Sequence, residues 1–168
     1  AVNDVFPLEV RRTYRPRDST SRSFGIGTSM SYDLFLIGDM NPYTYQELIL
    51  PDGSRVHYTR TSPGTEWTQA VYEATTTPGP FFGSVLRYNT AINSGWLLTL
   101  NDGSVYTFAD APGSSVGKCG GLLGMRDRYG KVVTITRTGC NVTSVVSPNN
   151  RKITFTYDTS NRITQATD

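Results

Sequence analysis

His57 is the only imidazole in the chain, and it lies in the run Ser54-Arg55-Val56-His57-Tyr58, alternating with Val56 and Tyr58. Acyl transfer needs a nucleophile within reach of a base, whereas a lone histidine in a strand pattern usually serves packing or surface. Glycoside hydrolysis needs two carboxyl groups flanking the scissile bond. The most conspicuous Asp residues, Asp52, Asp102 and Asp158, fall instead in turn contexts, where the side chain hydrogen-bonds nearby backbone. No catalytic residue is assigned on these grounds. A hydrolase whose residues leave no local pattern stays open as an alternative.

Cys119 and Cys140 are the two cysteines of the chain. Neither belongs to a Cys-x-x-Cys pair and there is one histidine, so no zinc site is expected. They are a candidate disulfide, although sequence cannot place their Cα atoms within bridging distance. Two Gly-rich stretches, Phe24-Gly25-Ile26-Gly27 and Lys118 to Gly124, could suggest a phosphate cradle. Neither leads into a helical pattern or a Gly-Lys-Ser/Thr, so no phosphate or nucleotide cofactor is expected. Asn141-Val142-Thr143 is a formal glycosylation sequon.

Aromatic side chains offer a different chemistry, because their flat faces stack on sugar rings while Tyr and Trp keep a polar tip. The chain has 10 Tyr and 2 Trp. Tyr43, Tyr45 and Trp67 are the candidates for an exposed ligand-binding surface, against the simpler reading as cross-strand pairs. Arg11, Arg12, Arg15 and Arg17 cluster near the start without a ladder of stacking aromatics, so no nucleic-acid partner is expected.

The elements that must position these residues are strands. Ser, Thr, Tyr and Phe are abundant, charged residues are 18% and the net charge is +2, a composition that suits pleated surfaces and turns. The length, 168 residues, is enough for a sizeable core. No apolar run approaches the ~20 residues of a membrane-spanning helix, so no membrane insertion is expected. The chain opens with Ala1, which suggests a processed or excised piece.

Short alternating runs are broken by turn dipeptides, the all-β pattern. Met30, Tyr32, Leu34 and Leu36 occupy every second position of Ser29 to Asp39 and predict one strand. Leu50-Pro-Asp-Gly-Ser54 and Leu100-Asn-Asp-Gly-Ser104 each separate two alternating runs and predict tight hairpins. A helical turn is allowed only within 65–74. Four segments result: an N-terminal arm or first strands over 1–23, a hairpin region over 24–110, a Gly-rich loop over 111–124, and 125–168.

The last segment repeats itself. Sliding Arg126 to Ser147 by 21 residues lays it on Ser147 to Asp168 without a gap, Lys131 on Lys152, Val132 on Ile153 and Val142 on Ile163. A fixed period of this size marks a repeated supersecondary unit. In the second copy Ile153, Phe155 and Tyr157 share one face of a strand, Asp158 to Asn161 form a polar turn, and a returning strand begins at Arg162. One such hairpin is too small to be stable alone and must pair edge to edge with neighbours.

Tyr157-Asp158-x-x-x-Arg162-Ile163-Thr164 resembles the signature of the RHS or YD-repeat family. Phe24 to Leu36 resembles the stretch opening an RHS core, and Asp102 to Asp110 a recurring RHS element. The first copy departs from the signature, with Thr136-Arg137 in place of Tyr-Asp and Asn141 in place of Arg. An Asp-Pro-x-Gly-Leu self-cleavage box and a variable toxin segment are absent from the sequence. The resemblance implies an antiparallel hairpin sheet that coils into part of a β-shell, with 125–168 as two YD-type repeats. It implies a non-catalytic structural module for toxin encapsulation or display, secreted or at the cell surface. Its partners would be the remainder of a shell, or another copy of the chain through strand edges. The alternative from another class is a module of an exported adhesin that binds a glycan or cell-surface receptor.

Overall fold

The computed structural model describes residues 3–39, 41–90, 95–110 and 119–168. Four short strands come first: β1 (Arg12–Tyr14), β2 (Ser21–Arg22), β3 (Gly25–Ile26) and β4 (Thr28–Met30). β1 pairs with β4 and β2 with β3, both antiparallel. The next twelve strands form one antiparallel sheet: β5 (Phe35–Gly38), β6 (Tyr45–Ile49), β7 (Arg55–Arg60), β8 (Val71–Glu73), β9 (Val85–Tyr88), β10 (Gly95–Thr99), β11 (Val105–Ala109), β12 (Leu122–Arg126), β13 (Val132–Thr138), β14 (Asn141–Val146), β15 (Lys152–Tyr157) and β16 (Ile163–Thr167). Their order in space is their order in the chain, so each strand pairs with its sequence neighbours and no crossover is needed. The helical allowance narrows to a 3₁₀ turn at Trp67–Gln69 between β7 and β8.

One turn design sets much of this meander. In Leu50–Ser54, Leu100–Ser104, Asp127–Lys131, Ser147–Arg151 and Asp158–Arg162, the first N–H donates to the fifth carbonyl and the fourth N–H to the first carbonyl. The fourth residue takes positive φ each time: Gly53 82°, Gly103 85°, Gly130 83°, Asn150 63° and Asn161 59°. Glycine adopts this region freely, and Asn is the residue with a side chain that best tolerates it. Acidic side chains finish four of the five turns, and Ser147 Oγ finishes the other by accepting the Arg151 N–H. Asp52 Oδ1 accepts the Ser54 N–H at 2.9 Å and Asp102 Oδ1 that of Ser104 at 2.8 Å. Asp158 Oδ1 accepts the N–H groups of Ser160 and Arg162, both at 2.9 Å, and Asp127 does the same for Tyr129 and Lys131.

Alternation then sends every second side chain to one face. Leu36, Leu48, Val56, Tyr58, Tyr72, Leu86, Trp96, Leu98, Phe108, Leu122, Val133, Ile135, Val145, Ile153 and Phe155 are buried in one cluster. Leu8, Met30, Tyr32 and Leu34, from the segment before the sheet, join it, as do Ala70, Ala74 and Val142. Each large aliphatic side chain taken out of water this way contributes about 1.5–3 kcal/mol.

Met30, Tyr32, Leu34 and Leu36 are all buried, yet they do not share one strand. A turn closed by Asp33 N–H on the Met30 carbonyl, at 2.9 Å, separates β4 from β5. Asp33 also caps the Met30 N–H with its carboxylate at 2.8 Å, and the local capping outweighs continued pairing. The 21-residue repeat emerges as two consecutive hairpins, β13–β14 and β15–β16, each with a bulge near its turn. Of the Gly-rich stretch, 111–118 lies outside the described residues, and β12 already begins at Leu122 within it. Glycines survive there because neighbours come close. A Cβ on Gly121 would lie 2.6 Å from Arg137 Cζ, and one on Gly124 3.1 Å from the Val133 carbonyl oxygen.

The sheet curls without closing. Its first strand swings back to the lead of β12, where Phe35 forms an isolated antiparallel bridge with Gly121. Leu36 N–H donates to the Gly120 carbonyl at 3.0 Å, and Leu122 N–H to that of Leu34 at 2.9 Å. This seam brings the N-terminal segment against the C-terminal hairpins.

Candidate functional site

Beside the seam lies a cleft of about 680 Å³, bordered by the N-terminal segment, the β6–β7 turn and the turns of the last two hairpins. Phe35, Ile37, Ile49, Leu50 and Pro51 supply its apolar lining, and Arg15, Arg22, Asp33 and Arg137 its charges. The volume is in the range of small-molecule sites, so the decisive matter is which polar groups remain free to meet a ligand.

Arg137 occupies the place in the first copy that Asp158 holds in the second. Its Nε donates to the Leu122 carbonyl at 2.8 Å, Nη1 to Cys140 at 2.7 Å and Nη2 to Tyr32 at 3.0 Å. A guanidinium presents its donors in a rigid fork, which is why one side chain can join three backbone segments. Burial lowers its pKa, opposed by the charge of Asp33. Asp33 faces the same conflict: burial holds its carboxyl above the ordinary range, while the Met30 N–H and Ser23 favour ionisation. Ser23 Oγ donates to it, 2.7 Å from Oδ2 and 2.8 Å from Oδ1.

Much of the remaining polar lining is tied together in the same way, although Arg15 Nε is buried without a hydrogen-bond partner. Arg15 and Arg22 both bind Asp18, whose pKa falls to about 2 under the Thr20 N–H and Arg22. Ser29 Oγ donates to the Pro51 carbonyl, and Asn141 Nδ2 to Asn161 Oδ1 at 2.8 Å. Cys119 and Cys140, joined by a disulfide with Cα atoms 5.4 Å apart, border the cleft too. The arrangement works as a joint: its polar groups hold protein segments to one another.

The signature residues have structural tasks of the same kind. Tyr157 Oη donates to the Val142 carbonyl at 2.7 Å, and burial pushes its pKa up to about 12. Asp158 caps its own turn and accepts from Arg162 Nε and Nη2, both at 2.8 Å. The Arg162 N–H is the first cause of its lowered pKa. Ile163 N–H reaches the Ser23 carbonyl at 2.7 Å, and Thr164 Oγ1 lies 3.2 Å from Thr156 Oγ1 across the hairpin.

None of the candidate binding aromatics lines this cleft. Tyr45 is 37% exposed and stacks on His57, with ring centroids 5.7 Å apart. Trp67 is half-buried, edge-on to Tyr88 at 4.4 Å, and Tyr88 in turn packs on Trp96. Tyr43 is half-buried, and its carbonyl accepts from Arg60. His57 has a partner that the sequence reading missed: Glu47 Oε1 lies 2.8 Å from Nδ1. The two are directly opposed across β6 and β7, a pairing that the register of the Asp52-Gly53 hairpin fixes.

Among the described residues, no group of three or more His, Cys, Asp or Glu side chains is placed to hold a metal ion. No helix there is long and apolar enough to cross a membrane. Residues 136–168 match the family model of the RHS repeat, a structural repeat and not an enzyme family. The match begins at the Thr136-Arg137 position and runs through the complete Tyr157-Asp158 signature, so this C-terminal stretch is similar to the RHS repeat. A search of the curated proteins finds no match.

Proposed function

We propose that this RHS-repeat protein is a non-catalytic structural module, a stretch of β-wall contributing to a shell for toxin encapsulation or to surface display. One observation carries the reading: the hairpins that match the RHS repeat continue the same sheet that begins at β5. The repeat therefore lengthens a wall. The joint beside the seam supports it, because its charged groups bind backbone and one another. The disulfide suits an oxidising compartment, outside the cell or at its surface.

Wall-building requires strand edges to find partners, and a bare edge is a template for pairing. Among the described residues β16 is the last strand of the sheet, and Thr164 to Thr167 are exposed. Light scattering of the purified chain should show association that grows with concentration. Gln165→Lys, which places a charge on that edge, should weaken it. A monomer at every concentration would remove edge pairing as the way the wall is extended.

The alternative, a glycan- or receptor-binding module, draws support from the half-exposed Tyr45 ring stacked on His57. Binding on a glycan array that disappears in Tyr45→Ala would favour it over the structural reading.

A further inference from the structure

The seam is held at only a few points. Phe35 is bridged to Gly121, Leu36 N–H donates to Gly120, and Leu122 N–H donates to Leu34. Among the described residues no continuous ladder runs beyond these, so the first edge of the sheet depends on whatever fixes residues 120–122 in place. β11 helps from one side, where Ala109 N–H donates to the Gly121 carbonyl at 2.9 Å. Arg137 helps from β13, lying against Gly121 and binding Leu122 and Cys140.

The remaining tie is covalent. Cys119 immediately precedes the seam residues, and Cys140 lies in the β13–β14 turn. The disulfide thus anchors the lead of β12 to a turn whose own backbone binds Arg137. Both strands that it spans, β12 and β13, are already paired with each other and with their outer neighbours. Breaking the bond therefore leaves the sheet standing and removes a tie that bears on the seam alone. Cys140 is exposed and Cys119 half-buried, so a small thiol can reach the bond.

We propose that Cys119–Cys140 is a redox latch on the seam: oxidised, it holds residues 120–122 on the edge of β5, and reduced, it lets that edge open. In the opening step a dithiol supplies two electrons and two protons. The S–S bond breaks, two cysteine thiols form, and the dithiol leaves as its own cyclic disulfide. Opening frees the Leu36 N–H in β5 and the Leu34 carbonyl just before it for pairing with another strand. The latch stands whether or not the wall encloses a cargo, because it concerns only how the first edge is covered.

Hydrogen exchange followed by mass spectrometry on the full chain, with and without dithiothreitol, tests it. Peptides carrying the Leu36 and Leu122 amides should exchange at least tenfold faster after reduction, while those of β14 and β15 keep their protection. The double variant Cys119→Ser/Cys140→Ser should show the fast seam with or without reductant. Unchanged protection at the seam would overturn the latch. Equal loss across the whole sheet would overturn it as well, since the bond would then be a global staple. Should the double variant not fold, the comparison of reduced and oxidised wild type decides alone.

Discussion

Arg137 Nη2 donates to the carbonyl of Tyr32 at 3.0 Å, across 105 residues of sequence. The same guanidinium lies where a Cβ on residue 121 would come within 2.6 Å of Cζ, so Gly121 and Arg137 are fitted to each other. The joint between the beginning and the end of the chain depends on that fit.

Arg137→Ala should lower stability by about 2–4 kcal/mol, because three carbonyls lose charge-assisted partners at once. Gly121→Ala should cost about 1–3 kcal/mol in the wild type by overpacking, and markedly less when Arg137 is already Ala. A double-mutant cycle by urea denaturation measures the coupling. Strict additivity of the two changes would contradict the fit described here.

The carboxyls of the joint should pull stability in opposite directions with pH. The folded-state pKa of Asp33 lies above the ordinary carboxyl value of 3.8, chiefly through burial, so the fold prefers its neutral form. As pH falls through that raised pKa toward 3.8, the folded state binds the proton first and Asp33 adds stability. Asp18 does the reverse: its contribution is complete above 3.8 and is lost as pH falls toward about 2. Denaturation midpoints of Asp33→Asn followed against pH should lack the gain on acidification above 3.8 and keep the loss below it. An identical profile in wild type and variant would rule Asp33 out as its source.

Asn150 holds a φ of 63° in the Ser147–Arg151 turn, the position that glycine fills in three of its sister turns. Asn150→Gly should be close to neutral in thermal melts. Asn150→Val should cost about 1–2 kcal/mol, the penalty of a left-handed conformation for a residue with a bulky Cβ. Equal melting temperatures for the two variants would show that this turn adopts another geometry.

The hairpins were legible because Asp52-Gly53 and Asp102-Gly103 announce a positive φ between alternating runs. The repeat was legible because its period lies on the residues themselves. The Ser147–Arg151 turn belongs to the same design, but an Asn at its fourth position gives a weaker signal than a glycine. Arg137 was the harder case. In sequence it reads only as the loss of the Tyr-Asp signature, whereas in the fold the replacement gains three carbonyl partners. Tyr32 and Arg137 share no local pattern, since the contact between them follows from how far the sheet curls. For the same reason the seam of Phe35 with Gly121 left no trace in the alternation, and the strand expected over Ser29 to Asp39 gave way to the cap that Asp33 places on Met30.

The chain-order arrangement of β5 to β16 also bears on how the molecule is made. Each strand finds its partner in the segment just synthesised, so closure of short loops suffices and the sheet can grow hairpin by hairpin as the chain emerges. The N-terminal arm is the exception. The carbonyl of Tyr32 waits for Arg137, and that of Ser23 for the N–H of Ile163. The arm is therefore secured only after the hairpins that follow it have formed.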